Sequence, residues 1–148
     1  MANLYVWLKF FHVLGVVTFL FTHGITAGTS LALRGTVSQA SRALLKMSQA
    51  SSAASYPSLL LIVVTGVWMA FAAHWSGQAW PRVAIVVLVA VLGSMVWIAR
   101  PYYQARDSAT QADEVVADRL SKARPIAAFW IGGVGLLILV FLMVIKPF

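Results

Sequence analysis

Residues 4–33 read LYVWLKFFHVLGVVTFLFTHGITAGTSLAL, a run in which Lys9 is the only charged side chain. As an α-helix rising about 1.5 Å per residue it is roughly 45 Å long, against about 30 Å for the hydrocarbon core of a bilayer. Such a helix crosses a membrane tilted, or with its ends projecting. It does not read as a cleavable signal peptide. No basic residue precedes Lys9, and a signal's apolar core is only about 7–15 residues long.

The rest of the chain repeats this signature. Of 148 residues, 61% are apolar and only 10% charged, whereas a soluble domain carries about 25% charged residues. So few charges cannot cover a water-facing surface, and lipid is the natural solvent. Further apolar runs enter through Pro57, follow Trp80-Pro81 and open at Pro125, and they end near Trp75, Arg100-Pro101 and Lys146-Pro147. One membrane domain results, with spans at about 4–33, 57–75, 82–100 and 125–146. The expected fold is all-α: a polytopic membrane protein built as an antiparallel four-transmembrane-helix bundle.

Positive charge gives the expected orientation. Arg34, Arg42 and Lys46 lie between spans one and two, and Arg100, Arg106, Arg119, Lys122 and Arg124 between spans three and four. The opposite side has only Lys9, Arg82 and Lys146. The positive-inside rule then puts both longer connections in the cytoplasm and both termini outside, in a cytoplasmic (inner) membrane. Tyr5, Trp7, Trp75 and Trp80 fit outer interface anchors, and Tyr102 and Tyr103 inner ones. The net charge of +7 sits at span ends rather than in a stripe interleaved with aromatics, which argues against nucleic-acid binding. The connections read as amphipathic cytoplasmic helical extensions. Val37, Leu44, Leu45 and Met47 mark one, which can run directly into span two. Val115, Val116 and Leu120 mark the other, with Asp118 and Lys122 paired four apart. With no cysteine, disulfides, thiolate metal sites and cysteine nucleophiles are excluded within the chain.

Span one is two-faced. At 100° per residue with His12 at zero, His23 falls near 20°, Ser30 near 0°, Lys9 near 60°, and Thr26, Gly15, Thr22, Thr29 and Thr18 between about 320° and 240°. The arc from roughly 80° to 220° holds Val13, Leu14, Val17, Leu20, Phe21, Ile25 and Leu31. Polar groups in lipid need partners from other helices, so the polar half should face protein. Gly24 and Gly28 lie on the apolar arc, where they suit a small-xxx-small helix contact. The hydroxyls read first as packing groups that bond their own helix. The histidines are more pointed, because ionisable residues inside a membrane are costly and often mark function. His12 and His23 share a face roughly 16 Å apart, so one metal or haem iron cannot take both. His74 stands at the outer end of span two. Thr65-Gly66, Gly93-Ser94 and the Ala128, Gly132, Gly135 face read as packing. No acidic residue lies in any span, and no catalytic nucleophile motif is visible.

Four segments carry a family resemblance: LKFFHVLG at residues 8–15, LIVVTGVWM at 61–69, RPYY at 100–103 and KPF at 146–148. They resemble the predicted integral membrane proteins of unknown function related to the CopD-like copper-resistance proteins and the HemJ-type four-helix porphyrinogen oxidases. The HemJ-type likeness implies haem b in the bundle, with His12 at the position of the family's helix-one histidine. The family's lysine in helix three has no counterpart, because WPRVA at residues 80–84 places Ala84 there. The CopD-like side implies copper, for which Met69, Met95 and Met143 are scattered and soft sites prefer Cys or clustered Met. Three functions are expected on these grounds. The first is a haem-binding protein with a redox or haem-handling role, with His12 on the iron, His74, His23 or a second subunit as further candidates, and Lys9 near a propionate. The second is a non-catalytic accessory subunit of a larger respiratory or photosynthetic membrane complex. The third is copper transport or resistance. Small-residue faces on spans one and four also suit a homodimer.

Overall fold

A computed structural model describes residues 2–33 and 37–147. Arg34, one of the basic residues counted above, and Phe148 lie outside them. The described chain is all-helical: α1 (Ala2–Ala32), α2 (Gln39–Ala72), a 3₁₀ turn (Trp75–Gly77), α3 (Trp80–Ile98), α4 (Arg100–Asp107), α5 (Asp113–Ser121) and α6 (Pro125–Ile145). Helices α1, α2, α3 and α6 are long and apolar enough to cross a membrane. The chain is a multi-pass membrane protein.

The helix boundaries follow local chemistry. Ser38 caps α2, its hydroxyl accepting from the Ser41 N–H at 3.2 Å, as an N-cap serine does. Pro81, Pro101 and Pro125 each stand in the first turn of a helix, where the missing N–H would have no partner. Pro57 does not: α2 runs through it without a break, so the helix that carries the second apolar run begins well before the proline and the basic connection forms its first half. An interior proline leaves a backbone carbonyl without its N–H. The carbonyl so freed is that of Ala53, while the adjacent Ser58 hydroxyl bonds back to the carbonyls of Ala54 at 2.6 Å and Ser55 at 3.0 Å.

Helix α1 packs chiefly on α2, α3 chiefly on α6, and α1 touches α6 more sparingly. Both pairs are antiparallel. Thr22 meets Ser55 and Thr26 meets Ser51, while His12, nearer the start of α1, meets Thr65, nearer the end of α2. Gly132 lies against Met95, and Gly135 against Val91.

At one end an aromatic clasp gathers all four long helices. Tyr5 from α1 stands edge-on to Trp75 at 6.3 Å, Trp75 lies 5.2 Å from Trp80, and the Lys146 ammonium at the end of α6 sits 4.1 Å over the Trp75 ring. Trp80 is buried and is therefore part of the packing, not an interface anchor.

At the other end Leu33, Leu45, Tyr102, Ala109 and Val116 form a small core. Here the two connections meet. Arg42 of α2 reaches the carbonyls of Ala109 and Gln111 and the Asp113 carboxylate, tying α2 to the turn between α4 and α5. The second connection is two helices, α4 and α5, and Val115 and Met47 face outward while Val116 and Leu45 carry the core. Tyr102, expected as an interface anchor, is buried in that core with its hydroxyl on Thr29. Burial pushes the neighbouring Tyr103 hydroxyl above its usual range, with Tyr56 adding to the shift and Arg106 opposing it. Its neutral ring receives the Arg106 guanidinium at 4.9 Å.

Candidate functional site

The polar half of α1 turns toward protein, and most of it is consumed by a seam with α2. Ser55 donates to Thr22 at 2.8 Å, Thr26 and Ser51 share a hydrogen bond at 3.1 Å, and Thr29 meets the Tyr102 hydroxyl at 2.8 Å. Each of these serines and threonines also has a carbonyl of its own helix in reach: Thr22 that of Thr18, Thr29 that of Thr26, Ser51 that of Ser48, Ser55 that of Ser51. They behave as packing groups. The α2 half of this seam was missed in the sequence. Its signal was present in the helical spacing of Ser48, Ser51, Ser52, Ser55 and Ser58, but a serine-rich stretch beside a basic connection reads as solvated.

His12 closes the seam toward the clasp. Its ring is buried, with Nδ1 at 3.0 Å from the Ile62 carbonyl and 3.1 Å from the Thr65 hydroxyl. A carbonyl oxygen only accepts, and the Thr65 hydroxyl has its own acceptors in the Leu61 and Ile62 carbonyls. Nδ1 therefore carries the proton and Nε2 the lone pair. Nε2 makes no hydrogen bond with a described residue. Gly66 makes the approach possible: a Cβ there would come within 3.1 Å of the imidazole Cε1. The Thr65-Gly66 pair thus acts as a seat, the threonine accepting and the glycine leaving room.

His23 faces a different neighbour. Its ring stacks on Phe19 with centroids 5.3 Å apart and planes 12° apart, and Nε2 lies beside Gly132 of α6. It makes no hydrogen bond with a described residue. His74 has left the helix altogether: it adopts a left-handed backbone at φ 57° before the 3₁₀ turn, with an exposed side chain near the Phe71 carbonyl. Between the His12 seat at Thr65 and the end of α2 at Ala72 the helix rises about 10 Å. The structure does not bring His74 to His12, nor His12 to His23. Lys9 is exposed, on the turn of α1 before His12, with no ion pair to a described residue. Among the described residues no three His, Asp or Glu side chains group as a metal site would require.

No family model, curated protein or solved structure matches the chain. The seat of His12 is thus the feature from which a chemical role has to be argued. As a donor it suits a metal centre: a ligating histidine normally gives its other N–H to a carbonyl or carboxylate, which fixes the ring and makes the free nitrogen more basic. His12 has that arrangement with Ile62. A second ligand on the opposite face does not come from His74 or His23.

Proposed function

We propose that this chain is a four-helix bundle of the cytoplasmic membrane, with the aromatic clasp outside and the Tyr102 core in the cytoplasm, and that it binds haem b through His12. The observation that supports the reading is the Nδ1 hydrogen bond to the Ile62 carbonyl, which leaves Nε2 as an oriented lone-pair donor. Histidine is a common axial ligand of haem iron, and haem supplies one-electron chemistry when bound. His12 would hold the iron, Thr65 and Ile62 would hold His12, and Lys9, one turn outward, would meet a propionate. Among the described residues His12 would be the one histidine this chain offers to the iron. This agrees with the proposed kinship to HemJ-type proteins in ligand but not in reaction. Ala84, buried where that family carries a lysine, takes no part in porphyrinogen oxidation.

The test is a hemin titration of the purified protein in mild detergent, followed by a visible spectrum with and without dithionite. One haem per chain or per dimer, with a Soret band that sharpens on reduction and is lost in His12→Ala, supports the reading. A folded protein that stays colourless through the titration, or a His12→Ala variant with an unchanged spectrum, overturns it.

A second reading is favoured by the seam itself. Its hydroxyls spend their bonding on each other and on their own helices, as in a non-catalytic accessory subunit that serves a larger membrane complex by packing.

A further inference from the structure

The end of α1, helix α5 and the start of α6 enclose an open cleft of about 690 Å³. Pockets for small organic ligands typically run from about 300 to 1,000 Å³. Its walls are apolar at Leu33, Leu120 and Ile126, and Ser30, Ser121 and Arg124 add polar groups. The serines are occupied by their own helices, Ser30 on the Ala27 carbonyl and Ser121 on the Asp118 carbonyl. Arg124 is exposed and pairs with no described acid. Three of the chain's four acids are engaged elsewhere: Asp113 holds Arg42, Asp107 lies by Arg106, and Asp118 holds Lys122. Glu114 is exposed on the first turn of α5. The cleft thus combines an apolar trough, beginning where α1 and α6 leave the membrane, with one uncompensated guanidinium.

We infer that this cleft binds an acidic phospholipid of the cytoplasmic leaflet, its phosphate on Arg124 and an acyl chain along Leu33, Leu120 and Ile126. Charge complementarity selects the occupant. The inner leaflet carries negative lipid, and basic pockets between spans on that side accept acidic headgroups. A zwitterionic lipid fills the trough equally well but gains less at the guanidinium, so the preference should rest on one residue. The inference depends on the proposed orientation and is independent of haem.

Native mass spectrometry of the full chain in neutral detergent, with phosphatidylglycerol and phosphatidylcholine added in equal amounts, reads the preference directly. The wild type should retain phosphatidylglycerol over phosphatidylcholine. Arg124→Gln should lower that ratio roughly fivefold, the value of one basic residue near an anionic surface. Ala127→Phe, which fills the cleft, should abolish retention. Lys46→Gln, an exposed unpaired cation on α2, and His12→Ala should leave the ratio unchanged. Equal retention of the two lipids, an equal fall in Lys46→Gln, or displacement of the lipid by millimolar inorganic phosphate would overturn the site. Orientation is measured separately. The chain lacks cysteine, so single cysteines at Gly77 and Gln111 can be labelled from either side of sealed vesicles, and failure there is distinguishable from failure of the cleft.

Discussion

Helices α1 and α2 meet through hydroxyls and one imidazole, whereas α3 and α6 meet where Gly132 and Gly135 receive Met95 and Val91. Between apolar helices in lipid there is no hydrophobic drive to associate, because acyl chains solvate leucine as well as another helix does. Two adhesives remain: hydrogen bonds that lipid cannot replace, and close backbone approach that multiplies dispersion contacts. The first pair uses both, because a Cβ at Gly15 of α1 would come within 3.1 Å of the Ile62 side chain and 3.3 Å of the Ser58 carbonyl of α2, and the second pair relies on the latter between described residues. The two should therefore fail differently. A polar seam tolerates the loss of single rungs, because each hydroxyl falls back on its own helix. A glycine contact has no fallback, since the backbone either fits or is pushed away.

The largest effect is therefore expected at Gly135. A methyl added there overlaps Val91, whose β-branched side chain has little freedom to move aside. Overpacking of this kind costs about 1–3 kcal/mol, which should appear as a lower midpoint when the detergent-solubilised protein is unfolded by SDS. Val91→Ala in the same chain should recover most of it. Gly132→Ala is the milder contrast, because its added methyl overlaps the terminal methyl of Met95, a flexible side chain, and touches His23 Nε2 only at ordinary contact distance. Equal losses at the two glycines, or no rescue by Val91→Ala, would remove the account of α3 on α6 as a contact limited by the fit at Gly135.

Next in size is His12, the one seam residue whose cross-helix bonds have no substitute on its own helix. His12→Ala gives up bonds to Ile62 and Thr65 and empties the space over Gly66. Interhelical bonds in membranes are worth about 0.6 kcal/mol on average and up to about 1.7, so a loss near the upper value is expected in the same unfolding assay. Thr65→Val should cost less, since the Ile62 carbonyl remains.

These residues show how far the sequence could be read. The four long helices were legible because hydropathy and length depend only on local composition, and the two-faced character of α1 was legible because 100° per residue is nearly invariant. Partners were not. Nothing in span two singles out Thr65-Gly66 as a seat until His12 is placed beside it, so the pair read as packing. Tyr102 read as an interface anchor from its rank at a span end, but its hydroxyl is buried on Thr29 because the α4–α5 layer folds over that end. From residue counts alone His74 and His12 are either nearly level or offset by about 10 Å, depending on whether the hydrocarbon core begins at Lys9 or near Leu4. The left-handed turn at His74, beyond the last turn of α2, separates them. A Cβ added at Gly24 or Gly28, both suited by pattern to a helix contact, would meet no described residue of another element within 4 Å.

The clasp bears on whether the pairs depend on each other. Lys146 lies 4.1 Å over Trp75 and 5.8 Å over Trp80, linking the end of α6 to the turn that joins α2 and α3. A cation over an exposed aromatic face contributes about 0.5–1 kcal/mol. Lys146→Met should lower the stability measured in the same unfolding assay by that amount.

The smallest effect expected is the most specific to the seam. Thr26→Val keeps the shape of the side chain but cannot donate to Ser51, whose hydroxyl still has the Ser48 carbonyl at 2.9 Å. The net change is then the cross-helix bond minus what Ser51 keeps, so a value below the average of about 0.6 kcal/mol for such bonds is expected. A double-mutant cycle of Thr26→Val with Ser51→Ala isolates that difference. A coupling of a few tenths of a kcal/mol would place adhesion in the sum of many weak rungs, with His12 as the strongest. A coupling above about 1.5 kcal/mol would mean that Thr26 and Ser51 have no effective fallback, and the polar seam would then be as brittle as the glycine contact at Gly135.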